Sequence, residues 1–225
     1  MTARETDTPS PAARPAPRPP LGRGATIVAL GAGVALVVLT VLVATGGTAR
    51  VDEWAKSFFR PHEEWGRLQV QVDVLVEGLR PRNSAALLIL GTVLVAARRR
   101  SWWPVACAAV VGATGTALTL GLKAAVGRVD THGEVGPTGG SFPSGHVVVL
   151  LMAAGCLALL LRQRPGRMAW FLVGLAAGTM AWALLVQTAH WLTDVVGALL
   201  IGVLVLSVAQ GLPFTHAGRS PAAGP

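Results

Sequence analysis

The residue types best suited to chemistry occur in four short stretches that lie far apart in the chain. They are the basic stretch 123–128 with Lys123 and Arg128, the run Phe142-Pro143-Ser144-Gly145-His146, the single residue His190, and Asp194 four residues later. Each stretch lies at the end of a long apolar segment. Histidine, carboxylate, cation and glycine-flanked serine together are suited to binding an anion and transferring a group from it.

Asp194 is the most informative single residue, because a carboxylate one turn into an apolar helix is costly and is usually paired. If the helix starts by His190, the two residues share one helix face. Asp194 then accepts the Nδ1 proton of His190 and leaves Nε2 as a nucleophile or base. The alternative is a helix-capping aspartate that has a histidine neighbour by chance.

The Pro-Ser-Gly-His run precedes an apolar helix, with Ser144 suited to the N-cap and Pro143 to the preceding turn. A helix N-terminus presents unpaired N–H groups that bind phosphate, and Gly145 allows a close approach to the backbone. His146 lies in the first turn beside such an anion. The alternative is an ordinary capped helix start.

Lys123 and Arg128 add cationic charge suited to phosphate oxygens. For each of them the alternative is an interfacial cation whose apolar stem lies along the membrane.

Cys107 and Cys156 lie inside apolar runs without CxxC spacing, which predicts small buried residues rather than metal ligands. The sequence predicts no cofactor and no metal.

The elements that position these residues are membrane helices. The 225-residue chain is 52% hydrophobic and 13% charged, whereas a soluble domain carries about 25% charged residues. We predict an all-α polytopic membrane protein with six transmembrane helices in one bundle. The net charge of +8 comes from arginines at the ends of apolar runs, which is typical of membrane topology and argues against nucleic-acid binding.

The predicted spans cover residues 25–46, 85–97, 102–122, 145–161, 168–188 and 191–209, and the second could begin near residue 79. Residues 1–22 are predicted to form a disordered cytoplasmic tail, 23–210 the six-span domain, and 211–225 a cytoplasmic C-terminal tail. An amphipathic interfacial helix is predicted around residues 69–79.

Arginine-rich connections predict the orientation, because such connections remain in the cytoplasm. With six spans, the arginines after the second and fourth spans and those of both tails share the cytoplasmic side of an inner or plasma membrane. Both termini are then cytoplasmic, and all the candidate residues face the outside or the periplasm.

These stretches resemble the type 2 phosphatidic acid phosphatase family, the membrane branch of the vanadium haloperoxidase superfamily, over about residues 122–202. The first motif of that family matches at Lys123, Gly127 and Arg128, but Asp130 and Thr131 replace its Arg-Pro pair. The second motif matches fully at residues 143–146. The third motif matches at His190 and Asp194, while Ala183 and Leu184 replace its Ser-Arg pair.

The resemblance implies metal-independent hydrolysis of a lipid phosphate or diphosphate, such as polyprenyl diphosphate or phosphatidic acid, at the outer membrane face. It implies that His190 forms a phosphohistidine, that Asp194 orients His190, and that His146 protonates the leaving oxygen. The residues implied to hold the phosphate are Lys123, Arg128, Ser144 and Gly145.

The two replaced arginines motivate an alternative, a catalytically silent membrane protein that binds lipid phosphate. A transporter is a further alternative, although transporters bind substrate near the midplane of the membrane and these ionisable residues cluster at one interface. The sequence does not define the head group, the oligomeric state or protein partners.

Overall fold

The computed structural model describes residues 22–60, 65–136, 139–162, 164–212 and 214, and these form eight helices with no strand. The helices are α1 (Arg23–Ala44), α2 (Ala49–Phe59), α3 (Arg67–Gly78), α4 (Pro81–Arg99), α5 (Trp103–Val126), α6 (Gly145–Leu161), α7 (Arg167–Val186) and α8 (Leu192–Ala209). The predicted tails fall almost entirely outside the described residues. The all-α fold is therefore confirmed for the part described.

Four described helices are long and apolar enough to cross a membrane, namely α1, α5, α7 and α8. Helix α6 is apolar but shorter, at 17 residues. Helix α4 has Arg82 near its start and Arg98 and Arg99 at its end, which lower its mean hydropathy. The prediction that the chain is an integral membrane protein is confirmed, but the predicted number of six spans is not.

Helix α6 lies at the centre of the bundle and packs against α4, α5, α7 and α8. Its contact with α8 is close because glycines face leucines. A Cβ on Gly155 would lie 2.5 Å from Leu206, and one on Gly202 would lie 2.3 Å from Leu151. Small residues allow this approach between membrane helices, where packing rather than water exclusion holds helices together.

The outer faces of the bundle carry large apolar side chains. On α1, for example, Ile27, Leu30 and Val34 are each at least 65% exposed. Such a surface is suited to lipid, in which helices satisfy their own backbone hydrogen bonds.

The two helices between the first and second predicted spans cover one end of the bundle. Helix α3 agrees with the predicted helix at 69–79 and packs on α7. Helix α2 was not predicted, and it packs on α7 and α8. The starts of α4, α6 and α8 and the end of α5 meet beneath these helices, so this end of the bundle holds the candidate residues.

Candidate active site

His190 and Asp194 are in contact, but not through a shared helix face. Helix α8 begins at Leu192 after an extended Trp191 (ψ 154°), so His190 precedes the helix. Asp194 is fully buried, and its Oδ2 accepts a hydrogen bond from the backbone N–H of Trp191 at 3.1 Å. The same Oδ2 lies 3.3 Å from Nδ1 of His190. This contact favours a proton on Nδ1, which leaves the Nε2 lone pair available as a nucleophile.

His146 faces His190 across the site. The two imidazole rings have centroids 6.4 Å apart and planes inclined at 69°. The start of α6, which carries His146, is tied to the start of α8 because the backbone N–H of Ser144 donates to the carbonyl oxygen of Asp194 at 3.0 Å. The relative position of the two histidines is therefore set by the backbone.

Ser144 is the N-cap residue of α6, as predicted, but its side chain makes no capping hydrogen bond. It is completely buried, and its Oγ has no hydrogen-bond partner among the described residues. A buried hydroxyl without a partner costs about 1–3 kcal/mol. The hydroxyl lies at the N-terminus of α6, although Ser144 is not among the residues that line the two cavities at the histidine pair.

Lys123 lies in the last turn of α5 and is only 7% exposed. Its Nζ donates to the carbonyl oxygens of Gly140 at 2.6 Å and Ser141 at 3.1 Å. Two of its three N–H groups thus hold the loop before α6, and the residue also lines the cavity in front of the histidines. Lys123 therefore has two roles. Its ammonium group holds the loop in place, and the same group supplies a positive charge at the cavity for an anionic ligand.

That loop passes very close to the end of α5. Gly127 ends the helix in the left-handed conformation (φ 59°), and the loop returns so that Ser141 N–H donates to the carbonyl of Arg128 at 2.7 Å. A Cβ on Gly140 would lie 2.5 Å from the backbone nitrogen of Arg128. Only glycine fits at this position without a shift of the backbone.

Arg128 is held between two carboxylates. Its Nη1 lies 2.9 Å from Oδ1 of Asp194, and its Nη2 lies 2.7 Å from Oδ2 of Asp52. Asp52 is itself 1% exposed and accepts hydrogen bonds from the backbone N–H and Oγ1 of Thr193 at 2.9 and 2.8 Å. The guanidinium of Arg128 therefore contacts Oδ1 of Asp194, whereas Oδ2 is the oxygen near His190. Arg128 does not line the cavity that contains Lys123.

Asp130, which replaces the first motif arginine of the resembled family, lines that cavity. Partial burial opposes its charge, but hydrogen bonds from the backbone N–H groups of Glu134 and His132 hold the pKa of Asp130 below its ordinary value. The carboxylate is thus ionised at neutral pH. It places a negative charge at the wall of a cavity suited to an anion.

Thr131 and Leu184 complete the departures from the family pattern. Thr131 donates from Oγ1 to the carbonyl of Thr188 and accepts from Lys56 Nζ through its own carbonyl at 3.3 Å. This joins the loop after α5 to α2 and to the end of α7. Leu184 is buried in α7 and carries no charge to the site.

Two cavities meet at the histidine pair. The first has a volume of about 400 Å³, within the usual range for ligand sites. Its lining includes the ionisable residues Lys123, Asp130, His146 and His190 and the apolar residues Pro81, Leu120, Val149 and Ala189. The other lining residues are Thr116, Thr119, Gly136, Gly139, Gly140, Ser141 and Gly145. The second, of about 600 Å³, is lined by Asp73, Val76, Glu77, Arg80, Pro81, Arg82, His146, Leu184, Gln187, Ala189 and His190. A polar head at the histidines and an apolar tail along α5 fit the first cavity.

The described part of the chain contains no group of three or more histidine, cysteine or acidic residues placed to hold a metal ion. Cys107 and Cys156 are buried free thiols, as predicted.

The structure thus brings together His190, Asp194, His146, Gly145 and Lys123, with Ser144 and Arg128 directly behind them. Sequence reasoning missed Asp52, Arg80 and Arg82. Asp52 lies 76 residues from its partner Arg128, and no local pattern signals such a contact. Arg80 and Arg82 carry no sequence motif, and only the packing of α4 against α6 reveals that they line a cavity together with the two histidines.

Two comparisons with known proteins found similarity to this chain. The family model described as the PAP2 superfamily matches residues 104–216. A solved structure, titled the first transmembrane PAP2 type phosphatidylglycerolphosphate phosphatase from Bacillus subtilis, is similar to this chain with a TM-score of 0.71 and 18% sequence identity. The similarity covers 81% of this chain and 94% of that one. No curated protein matches the chain.

Proposed function

Because this chain belongs to the PAP2 superfamily, we propose that it is an integral membrane phosphatase that hydrolyses a lipid phosphate or diphosphate. The observation that carries the proposal is the pair of facing histidines, one of them oriented by a fully buried aspartate, at the wall of a cavity with one polar and one apolar side. The polar side fits a phosphate and the apolar side fits a lipid tail.

In the proposed reaction, Nε2 of His190 attacks phosphorus and forms an N–P bond. The bond from phosphorus to the leaving oxygen breaks, and His146 donates a proton to that oxygen. His146 then takes a proton from water, the water oxygen attacks phosphorus, and the N–P bond breaks to release phosphate and His190. Asp194 stabilises the charge that develops on the His190 ring.

The phosphate oxygens carry most of the charge in such a transfer, so positioned donors do much of the catalytic work. We propose Lys123, the N–H groups at Gly145 and the hydroxyl of Ser144 as these donors. Arg128 remains a predicted contributor, and in this structure its contacts with Asp194 make it a positioning residue. No step requires a metal ion.

A second candidate is a silent lipid-phosphate-binding protein, which the absence of arginine at positions 130 and 184 favours, because the missing cations would stabilise the transition state. We also propose that the site faces the outside or periplasm of an inner or plasma membrane, with cytoplasmic termini. The support is the distribution of arginines along the sequence.

Phosphate release by detergent-purified protein, in EDTA and over a panel of lipid phosphates and diphosphates, tests the two candidates. We expect release that EDTA does not change and that His190→Ala abolishes. A folded protein that binds the lipids without any release would support the silent candidate, and full activity of His190→Ala would overturn the mechanism.

A further inference from the structure

The second cavity beside the histidines contains two arginines that the proposed reaction does not use. Arg80 and Arg82, at the start of α4, line this cavity together with His146 and His190. Lys123 and the glycine-rich loop line only the first cavity. The histidine pair therefore lies between Lys123 in one cavity and two arginines in the other.

The charges around Arg80 and Arg82 are partly balanced. The Nη2 of Arg80 is paired with Glu77, and Asp73 accepts a hydrogen bond from Gln187 Nε2 at 3.0 Å. Both carboxylates line the same cavity. In the part of the chain that the structure describes, no carboxylate pairs with Arg82, which is exposed. The cavity thus offers the guanidinium of Arg82 and the remaining N–H groups of Arg80 to a ligand.

The position of this cavity indicates which part of a substrate it would meet. A phosphate held by Lys123 and the start of α6 lies in the first cavity, where His190 can attack it. His146 borders both cavities and, in the proposed reaction, protonates the leaving oxygen. The leaving oxygen therefore lies at the border of the two cavities. From there the lipid tail can follow α5 in the first cavity, while a second phosphate next to that oxygen reaches toward Arg80 and Arg82 in the second.

We propose that Arg80 and Arg82 form a second anion subsite that binds a further phosphate on the leaving-group side of the substrate. This inference rests on the proposed function. Its ligand is a lipid with two phosphates, either directly joined as in a polyprenyl diphosphate or separated by a glycerol as in phosphatidylglycerol phosphate. Guanidinium groups suit this task because they donate two parallel hydrogen bonds to phosphate oxygens.

The same geometry gives Glu77 a defined role. Its carboxylate pairs with Arg80 and repels a second phosphate, so the phosphate and Glu77 compete for one guanidinium. Removal of the Glu77 charge should strengthen binding of a two-phosphate lipid, whereas removal of the Arg82 charge should weaken it. Opposite effects of two substitutions at one cavity are not expected from a general loss of structure.

Two matched substrate pairs test the subsite and separate its two ligand sources. They are farnesyl diphosphate against farnesyl phosphate, and phosphatidylglycerol phosphate against phosphatidic acid. For each pair the ratio of kcat/KM, two-phosphate over one-phosphate, is measured in wild type, Arg82→Gln, Glu77→Gln and the control Arg67→Gln. Arg67 is exposed at the start of α3 and lines neither cavity.

We expect Arg82→Gln to lower the ratio about tenfold, the size of losing one hydrogen bond to a charged group, and Glu77→Gln to raise it. The substrate pair whose kcat/KM ratio changes in these variants shows whether the subsite fits two directly joined phosphates or two phosphates separated by glycerol. Equal losses on all four substrates, or a ratio that moves in the same way in Arg67→Gln, would overturn the subsite and leave the phosphatase proposal standing.

A binding measurement separates this proposal from the failure of the proposed function. His190→Ala protein is titrated with a non-hydrolysable farnesyl methylene-diphosphonate and with farnesyl phosphonate. Preference for the diphosphonate that Arg82→Gln removes supports the subsite even if no substrate is hydrolysed. Equal affinity for the two analogues would overturn the subsite.

Discussion

Asp52 of α2 and Asp194 of α8 share one guanidinium, that of Arg128, at distances of 2.7 and 2.9 Å. Asp52 also accepts the backbone N–H of Thr193, in the first turn of α8. A helix outside the predicted spans therefore holds the start of the helix that carries Asp194. Through Asp194 this contact extends to His190, so Asp52 is a positioning residue for the proposed nucleophile.

We expect Asp52→Asn to lower both the stability and the turnover of the protein. The substitution weakens charged hydrogen bonds that are worth about 1.5–3 kcal/mol, and Arg128 is then free to move away from Asp194. Thermal unfolding in detergent and the kcat for phosphate release measure the two effects. The neighbouring exposed acid provides the control Glu53→Gln, and equal results for the two variants would contradict the role of Asp52.

Asp194→Asn should reduce kcat by about 10²–10⁴, the range for groups that assist proton transfer or orient a catalytic base. Asparagine can still accept from the backbone of Trp191, but it cannot stabilise a positive charge on His190. Single-turnover labelling with ³²P-lipid should show slower formation of the phosphorylated enzyme. Normal labelling kinetics in a folded variant would show that the Asp194 charge has no catalytic role.

The sequence predicted the apolar helices within a few residues, because long apolar runs depend on composition alone. The sequence also predicted that His146, His190 and Lys123 lie at the same end of the bundle, which the structure shows, whereas Arg128 contacts Asp194 and does not line the cavity. It also predicted that the last span begins after His190, but it left open whether His190 and Asp194 share one helix face, because that depends on the extended backbone of Trp191. The contacts of Asp52, Arg80 and Arg82 could not be predicted either, because they depend on how α2 and α4 pack against distant elements.

Asp130→Asn should increase the affinity for a phosphate substrate, because it removes a negative charge from the cavity wall. Hydrogen bonds from Glu134 and His132 keep the pKa of Asp130 below its ordinary value, so wild type carries this charge throughout a neutral assay. Two like charges near a protein surface repel each other by a few kcal/mol at most, and with solvent screening we expect KM to fall about fivefold at pH 7 when the Asp130 charge is removed.

The advantage of Asp130→Asn over wild type should shrink only as the pH falls through that lowered pKa. The two hydrogen bonds stabilise the ionised form, so their contribution to folding is likewise present at neutral pH and lost in acid. Steady-state kinetics from pH 5 to 8 should therefore show a constant advantage of Asp130→Asn, because this range lies above the lowered pKa of Asp130. Glu134→Gln is the control from the same loop. A KM that is unchanged by Asp130→Asn would contradict the repulsion.

Gly140→Ala should impair both folding and activity. Its Cβ would lie 2.5 Å from the backbone nitrogen of Arg128, and backbone cannot move aside as a side chain can. Overpacking of this kind costs about 1–3 kcal/mol, and the loop that it displaces is held by Lys123. Gly136→Ala, in the same loop, meets only the carbonyl of Gly139 at 3.8 Å and should be tolerated. Equal thermal stability of the two variants would contradict the close approach.

Ser144→Ala and Ser141→Ala should change stability in opposite directions. The Oγ of Ser144 is buried without a partner among the described residues, whereas the Oγ of Ser141 donates to the carbonyl of Val129 at 3.1 Å. Removing an unpaired buried hydroxyl relieves a cost of about 1–3 kcal/mol, while removing a paired one loses a hydrogen bond worth about 0.5–1.5 kcal/mol. The Val129 carbonyl then keeps only Trp191 Nε1, at 3.0 Å, as its donor. We therefore expect a higher unfolding temperature for Ser144→Ala and a lower one for Ser141→Ala.

Activity should nevertheless fall in Ser144→Ala, because its hydroxyl is proposed to donate to a phosphate oxygen in the transition state. Loss of one such donor reduces kcat by about 10²–10³. A higher unfolding temperature together with a lower kcat is the result expected if the Ser144 hydroxyl donates only to the bound substrate. Unfolding temperature and kcat measured on the same preparation check it, and a less stable Ser144→Ala variant would show instead that the hydroxyl has a structural partner.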